Sequence, residues 1–265
     1  MEVLHVVFLG ILQGLTEFLP VSSSAHLILT PALTGWADQG VAFDLAVHVG
    51  TLLAVLFYFR RDVHSLVRDG LASVSQRRVV GQGLLAGYLV VGTIPAGLAG
   101  LLLLDLIDTQ LRSVEIIFAT TLVFGLLLGW ADQRSGRTRA LGSLNWKDAV
   151  LVGIAQAIAL IPGTSRSGAT ISAGLLLGLN REAASRFSFL LAIPITALAA
   201  LAKLLEVANT NVPVDWTAFL LGGITSLAMA LLAIHYFLKW LNRFGMWPYV
   251  LYRLVLAAVI YHVLM

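Results

Sequence analysis

Gln13-Gly14-Leu15-Thr16-Glu17-Phe18-Leu19-Pro20-Val21-Ser22-Ser23-Ser24-Ala25-His26 decides the fold, because it breaks an apolar run with a carboxylate, a proline and three serines. The apolar stretches on either side are each too short to cross a bilayer, so residues 3–35 read as a helical hairpin that enters the membrane and turns back. Residues 147–180 repeat the plan. Their break is Ile161-Pro162-Gly163-Thr164-Ser165-Arg166-Ser167-Gly168-Ala169-Thr170, and a glutamine, Gln13 or Gln156, precedes each break.

Outward from the breaks, six apolar stretches are long enough to span: 41–59, 81–104, 112–130, 184–204, 214–237 and 247–265. The chain of 265 residues is 58% hydrophobic and 12% charged, with a mean hydropathy of +0.90, which excludes an ordinary soluble domain. One hairpin and three spans, repeated, give the expected fold. It is an all-α polytopic membrane protein with six spanning helices and two re-entrant helical hairpins arranged as inverted repeats. A single domain is expected over 1–265, its halves lying at about 1–130 and 147–265. The glycine pairs Gly10 and Gly14, Gly83 and Gly87, and Gly174 and Gly178 have the spacing of close helix contacts.

Basic residues set the orientation. Arg60, Arg61, Arg68, Arg77 and Arg78 fill one connection, and Arg134, Arg137, Arg139 and Lys147 fill another, two spans later. Both connections therefore lie on one side, the cytoplasmic one by the positive-inside rule, and Lys239 and Arg243 join them there. The same topology accounts for a pI of about 9.4 without a nucleic-acid partner. No cysteine is present, which excludes disulfides and thiolate metal sites. The N-terminus lacks the basic start and small-residue cleavage site of a signal peptide, so the first apolar segment is expected to stay in the mature protein. On this count the first hairpin enters from outside and the second from the cytoplasm, and their tips meet near the midplane, where polar backbone can line a cavity.

The polar residues at the tips are the candidates for chemistry. Gln13 and Glu17 lie one turn apart on one helix face, and a carboxylate at such depth is costly unless it faces a polar interior. Ser22, Ser23 and Ser24 precede a helix expected to start near Ser24, where one serine would serve as a cap and three exceed that need. His26 falls in the first turn of that helix. Arg166 needs a partner, either a phosphate anion held at a helix N-terminus with Ser165 and Ser167 or Glu17 as a structural ion pair. Thr170, one turn on, has a hydroxyl for the same anion.

Together these segments resemble the signatures of the undecaprenyl-diphosphate phosphatases of the bacitracin-resistance type. The first break is similar to their glutamate-or-glutamine, three residues, glutamate motif with its Pro-Val-Ser-Ser continuation and histidine. The second is similar to their Pro-Gly-x-Ser-Arg-Ser-x-x-Thr motif, and the likeness extends over essentially the whole chain. The resemblance implies an active site of Glu17, Ser23, His26, Ser165, Arg166 and Thr170, with Gln13 at the variable first position. It also implies a pocket opening toward the outer leaflet of a bacterial plasma membrane, a homodimer, and a divalent cation such as Mg²⁺ or Ca²⁺, for which Glu17 is the candidate ligand.

The expected reaction is hydrolysis of undecaprenyl diphosphate to undecaprenyl phosphate and inorganic phosphate, which returns a carrier lipid to cell-wall synthesis. Arg166 and the amides of residues 165–167 hold the phosphates, with Gln13 and Ser22 beside them. Ser23 attacks, His26 is its base, and Glu17 orients the histidine or holds the cation. Two rival assignments remain open from sequence: His26 as the nucleophile, or Glu17 activating water. A transporter or flippase of a lipid phosphate is the alternative function, because inverted repeats with broken helices also build transporters.

Overall fold

The computed structural model describes residues 2–37, 40–134, 136, 138–209 and 214–265, and of residues 104, 105 and 108 only the backbone. Arg137, one of the basic connecting residues, lies outside the described residues. The fold is all-α: α1 (Val3–Thr16), α2 (Ser23–Thr34), α3 (Gly40–Tyr58), α4 (Arg60–Gln76), α5 (Gly83–Gln110), α6 (Val114–Gln133), α7 (Trp146–Ile158), α8 (Arg166–Leu176), α9 (Arg181–Asn209), α10 (Trp216–Phe244) and α11 (Trp247–Leu264). Among the described residues, six helices are long and apolar enough to cross a membrane: α3, α5, α6, α9, α10 and α11. Helices α9 and α10 run to 29 residues each, longer than the apolar stretches that mark them, because their charged ends continue the helix beyond hydrocarbon.

Four of the five shorter helices, α1 with α2 and α7 with α8, form two broken pairs. At 1.5 Å per residue, α1 with 14 residues and α7 with 13 extend only about 20 Å, against a hydrocarbon core of about 30 Å. Each chain segment breaks at its proline and restarts on a serine N-cap, Ser22 for α2 and Ser165 for α8. Both caps adopt left-handed backbone, φ 74° and φ 70°, a costly region for a residue with a Cβ. Gly163, at φ 87°, precedes the second cap, and any Cβ there would meet the Thr120 hydroxyl and the Ile117 carbonyl.

Small residues bring the short helices onto the long ones. α1 packs on α10, and a Cβ at Gly14 would sit 2.5 Å from the Ser226 carbonyl oxygen. α7 packs on α5, where a Cβ at Gly153 would sit 2.5 Å from the Gly92 carbonyl oxygen. Of the spaced glycine pairs, Gly10 and Gly14 both make such contacts. Gly83 abuts Ser73 and Gly174 abuts Ala184, whereas Gly87 faces open space. Gly178 has φ 87° and ends the turn after α8, so its role is conformational. A central core of Phe18, Phe59, Phe187, Phe189, Leu190 and Phe237 joins α3, α9 and α10 beneath the breaks.

The basic connections are ordered by buried carboxylates. Helix α4 was not foreseen, since its arginines read as a loop. It buries Leu66 and Asp69 toward α5 while exposing Val67, Leu71 and Val74. Asp69 accepts from the Gln82 amide at 2.9 Å and from Arg68 at 2.8 Å. These two contacts hold its carboxyl below the ordinary carboxylate range, so the latch favours folding above that range and weakens as pH falls through the lowered value. Arg139 grips Asp148 at 2.6 Å and the Leu177 carbonyl at 2.8 Å, tying the 134–146 connection to the end of α8. Arg186 pairs with Asp62 at 2.8 Å.

Asp132, 3% exposed, receives both the Nε and the Nη2 of Arg181, at 2.7 and 2.9 Å, and the Met246 amide at 3.1 Å. Its replacement would leave a partly buried guanidinium and a buried amide without their acceptor. Asp132→Ala is expected to cost about 3 kcal/mol, near the lower end for a broken buried pair because Arg181 keeps some water. The thermal unfolding midpoint of the purified protein in detergent should fall clearly, and an unchanged midpoint would refute this role.

Candidate active site

The two breaks meet at one carboxylate. Glu17, just past the last turn of α1, accepts from Gln13 Nε2 at 3.0 Å and from Ser23 Oγ at 2.6 Å on one oxygen, and from Arg166 Nη2 at 2.9 Å on the other. Ser23 is the first residue of α2 and Arg166 the first of α8, so two helix N-termini, each with a partial positive charge, converge there. The Glu17 and Arg166 side chains are 10% and 14% exposed, which makes their mutual neutralisation a condition for placing either in this interior.

Each member has a distinct state of satisfaction. Ser23, a half-buried residue, must donate to Glu17, because a carboxylate only accepts, and no donor to its oxygen is found among the described residues. Arg166 lies over the Phe18 ring, 5.6 Å from its centroid, and its Nη1 is buried with no acceptor among the described residues. Gln13 is fully buried and its Oε1 likewise has no partner among them. An unfilled guanidinium nitrogen beside a carboxylate-bound serine is chemically suited to an oxyanion, and the charged oxygens of a phosphate are acceptors that the planar guanidinium fork matches.

The remaining serines hold the frame. Ser22 Oγ accepts from the Ala25 amide at 3.4 Å and pairs with Ser24 Oγ at 3.2 Å. In parallel, Ser165 Oγ accepts from the Gly168 amide at 3.1 Å and pairs with Ser167 Oγ at 3.3 Å. Ser167 donates to the Leu19 carbonyl at 2.9 Å, a direct bond between the breaks. Thr170, expected to add a hydroxyl to an anion on Arg166, is engaged by the protein. Its hydroxyl bonds the Arg166 carbonyl at 2.8 Å and Ser188 at 2.7 Å, against α9.

His26 is also differently engaged from the sequence expectation. Its Nδ1 lies 2.7 Å from the Ser22 carbonyl, which only accepts, so Nδ1 carries the proton and Nε2 accepts from the Tyr252 hydroxyl. Both nitrogens are thus engaged by Ser22 and Tyr252, and the group that accepts from the Ser23 hydroxyl is Glu17. Sequence reading had no handle on Tyr252, which comes from the last helix.

It also missed Arg253. This side chain has no solvent exposure and bonds backbone carbonyls at both breaks and on α6. The available signal was an arginine within the last apolar span, a position that demands a buried partner.

Among the described residues, no group of three or more histidine, cysteine, aspartate or glutamate side chains could hold a metal ion. The donor set suits a hard cation only as a shared site, with Glu17 as the protein carboxylate and the buried Gln13 Oε1 as a neutral oxygen. Such an ion would take its remaining oxygens from a phosphate and water. A cleft of about 630 Å³ and a smaller one of about 310 Å³, which share Asp62, Glu182 and Arg186, lie at the end bearing the basic connections and contain none of the Glu17 cluster. The cluster is the better candidate because its groups converge and two of its polar atoms, Arg166 Nη1 and Gln13 Oε1, have no partner among the described residues.

The sequence matches known proteins along nearly its whole length. Residues 6–259 match the sequence-family model described as bacitracin resistance protein BacA. The chain is 70% identical to the undecaprenyl-diphosphatase of Marinobacter nauticus over 265 residues, which is the full length of both. It is 64% identical to that of Idiomarina loihiensis over 261 residues, 98% of each chain. With undecaprenyl-diphosphatase 2 of Stutzerimonas stutzeri the identity is 56% over 263 residues, 98% of this chain and 97% of the other. Matched nearly end to end, with both broken segments inside the matched region, the chain belongs to the bacitracin resistance protein BacA family.

Proposed function

We infer that this chain is an integral membrane phosphatase that hydrolyses undecaprenyl diphosphate to undecaprenyl phosphate and inorganic phosphate. The observation that carries the reading is the carboxylate of Glu17, which receives Ser23 Oγ from one break and Arg166 Nη2 from the other while Arg166 Nη1 stands unfilled. A polyprenyl chain has apolar helix faces to lie against, and its head group has one charged point to reach.

In the proposed reaction Arg166 binds an oxygen of the terminal phosphoryl group and neutralises its charge. Ser23 Oγ attacks that phosphorus as its proton passes to Glu17 Oε2. The bond to the bridging oxygen breaks, and undecaprenyl phosphate leaves with the electron pair. Water then attacks the phosphoserine, the bond from Ser23 Oγ to phosphorus breaks as the serine takes its proton back from Glu17, and inorganic phosphate departs with the oxygen of the water. Glu17, not His26, is the base, and His26 with Tyr252 braces the start of α2. Positioning and charge neutralisation supply most of the rate. A divalent cation, Mg²⁺ or Ca²⁺, would be held by Glu17 and the Gln13 amide oxygen together with the diphosphate, adding further charge neutralisation.

The reading extends to the architecture. The two halves are inverted repeats, with α1–α2 and α7–α8 as re-entrant hairpins in one domain. Supporting this, the same spacing separates Gln13 from Gln156, Ser22 from Ser165 and Ser24 from Ser167. The left-handed serine caps match, and α1 packs on α10 as α7 packs on α5. The end bearing Arg60, Arg61, Arg68, Arg77, Arg78, Arg134, Arg139 and Lys147 is cytoplasmic, which opens the site toward the periplasmic side of the bacterial plasma membrane. A homodimer is proposed on the family resemblance alone.

Two outcomes check the chemistry in detergent with undecaprenyl diphosphate as substrate. Ser23→Ala and Glu17→Gln should each lower kcat by about 100-fold or more while the protein elutes as the parent does, the usual scale for losing a nucleophile or its base. Retention of near-parental turnover by either variant would remove that residue from the mechanism. Arg166→Lys should raise KM as well as lower kcat, because a point charge cannot replace the guanidinium on the phosphate. An unchanged KM would mean that Arg166 does not touch the substrate.

A further inference from the structure

The most fully bonded arginine in the site is the one that has nothing left to give a substrate. Arg253 projects from the apolar helix α11 into the protein, and it is among the largest fully buried side chains of the described residues. A guanidinium carries five N–H groups. Its Nε donates to the Thr121 carbonyl at 3.1 Å, and its Nη2 donates to the carbonyls of Gly163 at 2.8 Å and Thr120 at 3.2 Å. Its Nη1 donates to the carbonyls of Thr164 at 3.1 Å and Pro20 at 3.5 Å. Every donor is therefore matched by a backbone acceptor. Arg166, with Nη1 unfilled, is in the opposite condition.

The acceptors are placed where they control the chemistry. Pro20 stands three residues before Ser23, and Gly163 and Thr164 stand directly before Ser165 and Arg166. Thr120 and Thr121 belong to α6, so one planar group joins both breaks to a spanning helix. Gly125 of α6 makes room for it, since a Cβ there would lie 3.1 Å from Arg253 Cβ and 3.3 Å from its Nε. Among the described residues no carboxylate lies within ion-pair distance of Arg253. Carbonyl dipoles alone satisfy it, which makes both the fork geometry and the positive charge matter.

We propose that Arg253 is a positioning residue of the phosphatase reaction, its five-donor guanidinium setting the separation of the two breaks so that Ser23, Glu17 and Arg166 meet around the phosphoryl group. This rests on the phosphatase reading. It goes beyond that reading in giving a catalytic consequence to a side chain that touches neither substrate nor reacting atoms. A lysine would keep the charge, but its three N–H groups radiate from one nitrogen and cannot span five carbonyls on three segments. Arg253 and Arg166 should therefore fail differently when changed to lysine.

The test measures phosphate release from undecaprenyl diphosphate by the full-length protein in detergent for the parent, Arg253→Lys, Arg253→Ala and Arg166→Lys, with elution and thermal midpoint recorded for each. Arg253→Lys is expected to fold and to lose about 100-fold in kcat, the scale of a misplacement of about 1 Å in the reacting groups. Its KM should stay within about threefold of the parent's, since uniform substrate binding is untouched. Added guanidinium ion at millimolar concentration should restore part of the turnover of Arg253→Ala, and ammonium at the same concentration should not. Parental kcat in Arg253→Lys overturns the proposal. So does a rise in KM matching that of Arg166→Lys, which would make Arg253 a substrate ligand, or failure of both Arg253 variants to fold, which would make it scaffold alone. Lack of guanidinium rescue in a folded Arg253→Ala also counts against it. A parent that releases no phosphate overturns the phosphatase reading first, and this proposal with it.

Discussion

One ion pair organises the interior of this protein. Glu17 and Arg166 come from opposite halves of the chain, each too costly to bury alone in a largely apolar setting, and they meet at 2.9 Å. Their meeting requires two helices to stop short, because a continuous helix would carry both side chains past each other and leave no backbone free to turn. The prolines, the left-handed serine caps and the glycine at 163 are the local means of stopping. The small residues on α1, α7 and α10 then let the shortened helices sit close enough to longer ones to be held.

That arrangement explains how a chain with so few charged residues can hold a polar cluster in its interior. The carboxylate draws in a hydroxyl from its own break and a guanidinium from the other, which lowers the cost of burying all three. The same bonds prepare chemistry. A serine proton already rests against its acceptor, and a guanidinium nitrogen of the same cluster has no acceptor among the described residues. The strain in Ser22 and Ser165 is offset by this network and by the carbonyl clamp of Arg253. The function of the family, hydrolysis of a lipid diphosphate, needs little more from a protein than such positioned charge.

Much of this was legible in the sequence, for physical reasons. Spans declare themselves because hydrocarbon thickness fixes their length, and the two breaks declare themselves because proline and serine runs have no other business inside an apolar segment. Glu17, Ser23 and Arg166 stood out because charge and hydroxyls are expensive there. Less could be read where partners are remote in sequence. His26 was expected beside Ser23 from their proximity along the helix, but Tyr252, in the last helix, claims its free nitrogen. Thr170 has helical spacing to Arg166, and α9 claims its hydroxyl through Ser188. Arg253 carries no motif of its own, since its acceptors are backbone carbonyls that any residue supplies. Helix α4 was hidden because its arginines mark a membrane side as plainly as they mark a loop.

The central claim is that Glu17 and Arg166 act as one unit across the two breaks, and a double-mutant cycle on phosphate release from undecaprenyl diphosphate tests it most directly. Glu17→Gln, Arg166→Met and the double variant would be compared with the parent as kcat/KM values on folded protein. Groups that work together lose their effect together, so the account predicts a double variant close to the more damaged single one, with a large interaction energy. Losses that multiply would show two independent residues, and would contradict a reaction centre built on their contact.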